Sequence, residues 1–291
     1  MQMVKLLNSD ILTTEVLEWK GLHLFHFPGS SCSQKTRILL SEKGVKWESH
    51  SVNLMTHENF TPWFLGINPR GLVPVIVHDG EVHIESNDIM RYIDDTFAGP
   101  TLFPKSKNST AYMGHLAKVE DDLHLHLRAL TFRYIAPNEL LRKDPEALDI
   151  YETAGSGYVN GNTDERKSIE VNFWRKMAVD GIPTKQAIAA INSFEPHLTE
   201  INIRLGNNKW LLPEGFSALD IMWWINTYRL KLLGYPFDKF LNINTWHEKL
   251  EQRPNFLKEV AMPPERLSAI KKHQEEMANN GESLPQLMAK Q

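Results

Sequence analysis

The hydrophobic pattern of this chain changes its period near residue 104, and that change constrains the fold more than any other feature. Between residues 21 and 104, short strand-like runs alternate with helical stretches, whereas later apolar residues recur at steps of three and four. The first pattern predicts an α/β domain and the second a helical bundle. We therefore expect an N-terminal arm, an α/β domain, an all-helical domain and a C-terminal helix or tail, over residues 1–20, 21–104, 105–263 and 264–291.

The elements of the α/β half predict a mixed sheet with helices on both faces. Residues 22–27 form the first expected strand, and the helix after it ends at Gly44, a residue suited to a left-handed helix end. A strand over 47–53 and a short helix over 60–65 follow. Strands over 74–77 and 82–84 flank Asp79-Gly80, a tight turn that forces antiparallel pairing. The next helix begins at Ser86.

The second half reads as all-α, with one interruption. Apolar residues at helical spacing form a stripe at Leu116, Val119, Leu123, Leu127 and Leu130. Residues 216–233 are apolar all round, which predicts a buried helix with Trp223 and Trp224 in its core. The stretch Tyr151–Thr184 is polar and glycine-rich at first, and we expect it to leave the bundle. It shapes a substrate slot or, as the alternative, packs on a partner subunit.

Composition excludes several classes of partner. The 291 residues carry 32 Lys+Arg against 36 Asp+Glu, a formal net charge of −4, so nucleic acid is not expected. No apolar run reaches the ~18–20 residues of a membrane span. The start lacks the pattern of a signal peptide, and the single cysteine, Cys32, rules out an internal disulfide; we expect a cytoplasmic protein. Histidines and cysteine show no metal-ligand spacing, since His124 and His126 point to different helix faces, and we expect no metal.

Three short motifs of the first half carry possible chemistry. The turn Pro28-Gly-Ser-Ser-Cys-Ser33 opens a helix, where backbone N–H groups and hydroxyls can hold an anion such as a thiolate; the alternative is that the serines only cap the helix. Val73-Pro74 begins a strand, where proline removes a backbone donor; a cis bond would turn the Val73 backbone toward an extended peptide. Glu85-Ser86 precedes a helix and could bind an ammonium and a carboxylate, or simply cap that helix.

In this order and spacing, these motifs resemble the thioredoxin-like domain of glutathione transferases. The resemblance runs from about Leu22 to Pro104 and includes Arg37-Ile-Leu-Leu40, Asn68-Pro-Arg-Gly-Leu-Val-Pro74 and Asp79-Gly80. It implies glutathione as co-substrate. It also implies catalytic Ser30, with Ser31 as the second candidate, and a binding site for glutathione formed by Ser30, Ser31, Cys32, Val73, Pro74, Glu85 and Ser86. The resemblance further implies a cis Val73-Pro74 bond, with Val73 bound to the cysteinyl backbone and Glu85 and Ser86 bound to the γ-glutamyl end.

The Ser-Ser-Cys-Ser run is most similar to the zeta class, whereas the long second half is similar in plan to bacterial glutathione-dependent β-etherases, which cleave the β-aryl ether bond of lignin-derived compounds. The resemblance implies a dimer, either of two copies or with a related transferase, and an aromatic electrophile as substrate. The alternatives are a zeta-like isomerase or dehalogenase and a weakly active binding subunit. Ser217-Ala-Leu-Asp220 is similar to the family's capping box, a structural motif. A redox role for Cys32 and electrophile contacts by His124 or Arg128 are weaker hypotheses.

Overall fold

The computed structural model describes residues 4–290, and the chain divides into two compact units. Unit 1 runs to Pro100 and also takes in Arg142–Val179. Unit 2 comprises Thr101–Leu141 and the chain from Asp180 onward. The first boundary falls close to the expected residue 104. Most of the Tyr151–Thr184 stretch, which we assigned to the helical domain, lies instead in unit 1.

Unit 1 is built on a four-stranded mixed sheet, as predicted. The strands are β1 (Leu22–His26), β2 (Glu48–Ser51), β3 (Val75–His78) and β4 (Glu81–His83), in the order β2-β1-β3-β4. β1 pairs with β2 in parallel and with β3 in antiparallel orientation, and β3 and β4 form an antiparallel hairpin. The hairpin turn at Asp79-Gly80 has φ of 49° and 85°, the positive values that an Asp-Gly turn supplies.

Helices α1 to α3 and three 3-10 helices complete the first hundred residues. The helices are α1 (Ser31–Lys43), α2 (Pro62–Ile67) and α3 (Ser86–Thr96), and the 3-10 helices are Asn8–Asp10, Thr14–Glu18 and Glu58–Phe60. Helix α1 ends at Gly44 with φ 68°, as expected. Phe64 and Ile67 of α2 join the core formed by Phe25, Val75 and Val77, while α1 and α3 pack against each other.

The N-terminal arm contributes backbone hydrogen bonds and buried apolar side chains to unit 1. The N–H of Leu6 donates to the Val82 carbonyl at 2.9 Å, and the Ile84 N–H donates to the Val4 carbonyl at 3.1 Å. The arm thus adds a short bridge to the free edge of β4. Leu6, Ile11 and Val16 are buried in the core of the sheet. Because these three apolar side chains, five positions apart, are buried in that core, the arm is part of the α/β domain and not a separate segment before it.

The segment 142–179 adds a short β-hairpin to a second half that is otherwise helical, as predicted. It consists of α7 (Pro145–Thr153), the strands β5 (Tyr158–Val159) and β6 (Asn162–Thr163), and α8 (Arg166–Asp180). The two strands pair antiparallel around Asn160-Gly161, whose φ values are 53° and 71°. Asn-Gly is the preferred dipeptide for such a turn, so a local signal for this hairpin was present in the sequence.

Unit 2 is a bundle of helices: α4 (Lys107–Asp122), α5 (His124–Tyr134), α6 (Asn138–Leu141), α9 (Thr184–Asn207), α10 (Ala218–Leu232), α11 (Leu241–Glu251), α12 (Pro254–Val260), α13 (Pro264–Asn279) and α14 (Leu284–Ala289). Trp223 and Trp224 of α10 are fully buried, as expected. The Asp220 carboxylate accepts bonds from Ser217 N–H, Leu211 N–H and Trp246 Nε1, which confirms the capping box and ties it to α11.

The C-terminal residues, expected as a helix or tail, form two helices with buried side chains. Ile270 of α13 and Leu284 and Leu287 of α14 are buried. Tyr134 of α5 donates its hydroxyl to the Glu282 carbonyl at 2.8 Å. The last two helices are therefore part of the core of unit 2. Within residues 4–290, no helix combines the length and the apolar character needed to cross a bilayer.

Candidate functional site

The pairing of the strands in unit 1 brings the three predicted motifs to the same end of neighbouring strands. Phe25 pairs with Val75 and Ile76 pairs with His83, so β1 and β4 end where β3 begins. The turn with Ser30 follows β1, Val73-Pro74 precedes β3, and Glu85 follows β4. Because neighbouring strands lie less than about 5 Å apart, segments that leave the same end of adjacent strands are close in space. Motifs separated by more than fifty residues therefore share one site.

Ser30 caps α1, with its hydroxyl hydrogen left for another partner. The Ser30 Oγ accepts from the Ser33 N–H at 3.3 Å, so the capping interpretation is confirmed. A hydroxyl that accepts in this way still has its own hydrogen to donate. Capping and binding of an anion are therefore compatible functions of Ser30. Ser31 and Cys32, which follow it on α1, are partly exposed, whereas Ser33 is fully buried and accepts from the Phe27 N–H.

Two buried side chains hold the turn in place. The Pro28 carbonyl accepts from Gln34 Nε2 at 3.1 Å and from Arg37 Nη2 at 3.3 Å. Arg37 Nη1 also lies 3.2 Å from His26 Nδ1, and His26 Nε2 contacts Ser49 Oγ at 2.8 Å. Burial, and after it the Arg37 charge, lowers the pKa of His26 to about 4. His26 is therefore neutral at pH 7, and its Nδ1 can accept from the guanidinium.

The Val73-Pro74 bond is cis, which confirms the prediction. The Val73 side chain is buried, at 9% exposure. Among residues 4–290, neither the N–H nor the carbonyl of Val73 is hydrogen-bonded. One donor and one acceptor are thus present at the start of β3, a pattern that suits an extended peptide ligand.

The Glu85 side chain binds two arginines. Its Oε1 lies 2.5 Å from Arg70 Nη1, and its Oε2 lies 2.7 Å from Arg166 Nη1. Glu85 has φ 68° and ψ 112°, unusual values for a residue other than glycine, and strained backbone of this kind is concentrated at binding sites. Ser86, at the start of α3, is 9% exposed.

Arg70 and Asp164 extend this cluster. Arg70 Nε and Nη2 each donate to one Asp164 oxygen at 2.7 Å, a bidentate pair between residues 94 positions apart. Burial acts to lower the pKa of Arg70, but the bonds to Asp164 and the charge of Glu85 together raise it above its ordinary value. We call Arg70, Glu85, Asp164 and Arg166 the four-charge cluster; it contains two positive and two negative side chains.

Three members of this cluster were missed in the sequence analysis. Arg70 lies inside the Asn68-Pro-Arg-Gly71 turn, which was read only as a turn signal. Asp164 and Arg166 follow the Asn160-Gly161 hairpin turn, and no motif marks them. The hairpin itself was the available signal, since a tight turn fixes where the residues after it project.

Tyr151 fixes the returning segment against the Asn68–Gly71 turn. Its fully buried ring stacks on Phe60 with centroids 4.1 Å apart, and its hydroxyl donates to the Arg70 carbonyl at 2.6 Å. A Cβ on Gly71, which has φ 61°, would lie 2.7 Å from the Tyr151 ring. The turn thus requires glycine here because the ring occupies that space.

The structure places the remaining candidates on two helices, α5 and α1. His124 and Arg128 both lie on α5 of unit 2, with Nε2 and Nη2 3.5 Å apart. The Cys32 carbonyl accepts a hydrogen bond from Thr36 Oγ1 within α1. The sequence contains one cysteine, so no second thiol is present to pair with it.

Comparison with known proteins identifies relatives of the first unit. Residues 29–96 match the family model described as glutathione S-transferase, N-terminal domain. Glutathione S-transferase 1 of Dianthus caryophyllus is 37% identical over 94 residues, 32% of this chain and 42% of that protein. The zeta-class glutathione S-transferase of Euphorbia esula is 40% identical over 83 residues, 28% of this chain and 37% of its own. The chain therefore aligns with less than half the length of these two plant relatives.

One relative is similar over nearly its whole length. Protein LigF of Sphingobium sp. (strain NBRC 103272 / SYK-6) is 24% identical over 265 residues, 88% of this chain and 99% of LigF. The crystal structure of β-etherase LigF from Sphingobium sp. strain SYK-6 superimposes with a TM-score of 0.68 over 82% of this chain and 98% of that one. At this identity the likeness extends the shared fold to both units.

Proposed function

We propose that this chain, a member of the glutathione S-transferase superfamily through its N-terminal domain, transfers glutathione to an aromatic electrophile and cleaves β-aryl ether bonds. The family uses glutathione as its co-substrate. The observation that supports glutathione transfer is that Ser30, Val73 and Glu85 lie at the same end of the neighbouring strands β1, β3 and β4. The similarity to LigF across 88% of the chain supports the ether as substrate.

Ser30 acts on the thiol of glutathione in this proposal. Its Oγ accepts from the Ser33 N–H, so its hydrogen is available to donate to the sulfur. A hydrogen bond donated to a thiolate stabilises the charged form and lowers the pKa of the thiol. The N–H groups at the start of α1 favour the same negative charge. Ser31, the next residue, is the second candidate for this bond.

The reaction then needs one displacement. The thiolate attacks the carbon that carries the aryl ether oxygen, next to a ketone; the C–S bond forms as the C–O bond breaks. The electron pair leaves with the phenolate, which takes up a proton equivalent to the one that the thiol released. Holding both reactants in contact supplies much of the rate, because the step becomes effectively unimolecular.

The four-charge cluster binds the γ-glutamyl end in this proposal. That end is a zwitterion, with one ammonium and one carboxylate, and the cluster offers both signs. Glu85 still has lone pairs beyond the two that the arginines use, so it can accept from the ammonium. Ser86 and Arg166 are the donors for the carboxylate. The original assignment of Glu85 and Ser86 is thus kept, and Arg166 joins it.

A product assay tests the ether reaction. The protein is incubated with glutathione and a ketone that carries a β-aryl ether, and the products are separated by mass spectrometry. We expect free phenol and a glutathione thioether in equal amounts. The 40% identity over 83 residues to a zeta-class glutathione S-transferase favours a second candidate, a glutathione-dependent isomerase or dehalogenase. A product of unchanged mass would favour an isomerase. Glutathione binding without turnover would favour a binding subunit.

Kinetics of two variants test the γ-glutamyl assignment. We expect Ser86→Ala and Arg166→Gln to raise the Michaelis constant for glutathione about tenfold with a smaller change in kcat, since these contacts are remote from the sulfur. The matched control is Arg175→Gln, because Arg175 is also on α8 but pairs with Asp149 and Glu152. With cysteinylglycine, which lacks the γ-glutamyl group, the variants should equal the wild type. A defect in kcat alone would contradict the assignment.

A further inference from the structure

A second cluster of side chains with metal-ligating atoms lies on β1 and on the edge strand β2 of the sheet in unit 1. It consists of His23 on β1 and of Glu48 and His50 on β2. In the parallel pairing of these strands, His23 aligns with Glu48 and Phe25 with His50. Residues two apart on a strand face the same side, so all three side chains share one face of the sheet.

The distances between their donor atoms fit a tetrahedral ion. His23 Nδ1 and His50 Nε2 are 3.0 Å apart. Glu48 Oε2 lies 3.6 Å from His23 Nδ1, and the other carboxylate oxygen, Oε1, lies 3.8 Å from His50 Nε2. Ligands at ~2.0–2.1 Å from a tetrahedral zinc ion are separated by about 3.3–3.4 Å. One ligand atom from each residue lies within 4.8 Å of the other two, so the exposed carboxylate must rotate to bring a single oxygen to that spacing from both nitrogens.

The two imidazoles are held in the orientation that ligation needs. His23 Nε2 lies 2.9 Å from the Lys20 carbonyl, an acceptor, so this nitrogen carries the hydrogen and Nδ1 presents its lone pair. Histidine ligands of metal sites commonly donate their other N–H to a carbonyl in this way. The His50 ring stacks against Trp19 at 5.0 Å and Phe25 at 4.7 Å.

We propose that His23, Glu48 and His50 form a binding site for Zn²⁺, with solvent water as the fourth ligand. Two imidazoles and a carboxylate are a known zinc ligand set, whereas Mg²⁺ and Ca²⁺ prefer oxygen ligands throughout. The Glu48 side chain is 67% exposed, so an ion can enter from solvent and keep a water. The simpler alternative is a plain hydrogen bond between the two imidazoles.

An ion bound here would join β2 to β1. His23 lies near the start of β1, whereas the Ser30 turn follows the end of that strand. β2 is an edge strand, and an ion that bridges His23 to Glu48 and His50 ties this edge to its neighbour. The proposal is therefore independent of the glutathione reaction.

Calorimetry with zinc chloride tests the site. The full-length chain is stripped with a chelator and titrated in a non-chelating buffer, alongside Glu48→Gln, His50→Gln and the control His115→Gln, which removes an exposed histidine of α4. We expect one ion per chain, a loss of affinity of more than about tenfold in the first two variants, and no loss in the control. Cobalt bound in the same site should show the visible absorption of a tetrahedral ion.

If a histidine variant fails to fold, the Glu48→Gln variant still tests the site, because Glu48 is exposed. Removing a carboxylate that is 67% exposed leaves the core untouched, so Glu48→Gln reports on ligation alone. Equal affinity in Glu48→Gln and His115→Gln would overturn the proposal. So would the absence of zinc binding by the wild type, which would leave the hydrogen bond between the imidazoles as the whole explanation.

Discussion

The Ser30 hydroxyl caps α1 and, in our proposal, also acts on the glutathione thiol. Ser30 accepts from the Ser33 N–H at 3.3 Å, and the same oxygen can donate to a thiolate. Sequence reasoning set capping and anion binding against each other, but the geometry makes them compatible. The consequence is that a change at Ser30 affects stability and chemistry together, so an experiment must separate them.

We predict that Ser30→Ala lowers kcat about 10²–10³-fold while glutathione binding weakens less, because a donor to the reacting charge is lost. Loss of the cap costs about 1 kcal/mol in addition. Steady-state kinetics and thermal unfolding measure the two effects. The control is Ser106→Ala, since Ser106 caps α4 with the same 3.3 Å bond, to Ser109 N–H. It should lose stability but keep kcat. A loss of less than twofold for Ser30→Ala would transfer the function to Ser31.

His26 gives the stability of unit 1 a pH dependence. The pKa of His26 in the folded chain is about 4, against an ordinary value of 6.5, so between pH 4 and pH 6.5 the unfolded chain binds the extra proton. The free energy of unfolding therefore falls as pH drops from 6.5 toward 4, by up to about 1.4 kcal/mol per pH unit for this one group. Urea unfolding at several pH values should show a shallower dependence in His26→Gln. His115→Gln, an exposed control, should keep the wild-type slope; an unchanged slope in His26→Gln would refute the prediction.

At the scale of elements, the segment 142–179 is the main departure from the expected plan. We expected it to shape an electrophile slot or to cover a partner subunit. It lies in unit 1, where Asp164 and Arg166 join Arg70 and Glu85. Its hairpin also binds the arm, through the Gly161 N–H and the buried Asp10 carboxylate at 3.2 Å.

Tyr151 should control whether this segment stays packed. We predict that Tyr151→Ala lowers the free energy of unfolding by about 3–5 kcal/mol, since it empties a fully buried aromatic site. Tyr151→Phe, which loses only the bond to the Arg70 carbonyl, should cost about 1 kcal/mol. Hydrogen exchange should show faster exchange over 142–179 in the alanine variant. Tyr158→Ala is the control, because that ring is 49% exposed on the same segment. Equal effects of the two alanine variants would contradict the anchoring.

At the scale of the whole molecule, every residue assigned to glutathione lies in unit 1, although the chain leaves that unit and returns to it. Ligand binding should therefore stabilise residues from two separate stretches of sequence. The dimer that the family resemblance implies is a separate expectation. Light scattering should give twice the chain mass of 33.5 kDa if it holds.

We predict that glutathione at a hundred times its dissociation constant stabilises the folded chain by about 2.7 kcal/mol. Hydrogen exchange with and without glutathione locates the effect. Protection should increase around residues 28–33, 70–74 and 85–86, and also around 164–166. Protection in the first three stretches without the fourth would remove Asp164 and Arg166 from the site and leave the rest of the proposal standing.

The sequence alone determined what depends on short-range signals. The change of period, the turn at Asp79-Gly80 and the helix end at Gly44 predicted the order of elements and the mixed sheet. The spacing of the Ser30, Val73 and Glu85 motifs indicated the site, and the cis bond before Pro74 was expected. These features could be predicted because each rests on residues within a few positions of one another.

Only the tertiary structure decided which distant side chains meet. Asp164 is 94 residues from Arg70, and Arg166 is 81 residues from Glu85, so no local pattern relates them. The same holds for His23 and His50, which are 27 residues apart and escaped a search for metal-ligand spacing. The four-charge cluster forms because Tyr151 and the Asn160-Gly161 hairpin fix the returning segment on the Arg70 turn. The histidines meet because parallel pairing of β1 and β2 sets their register, and register is a property of the folded sheet.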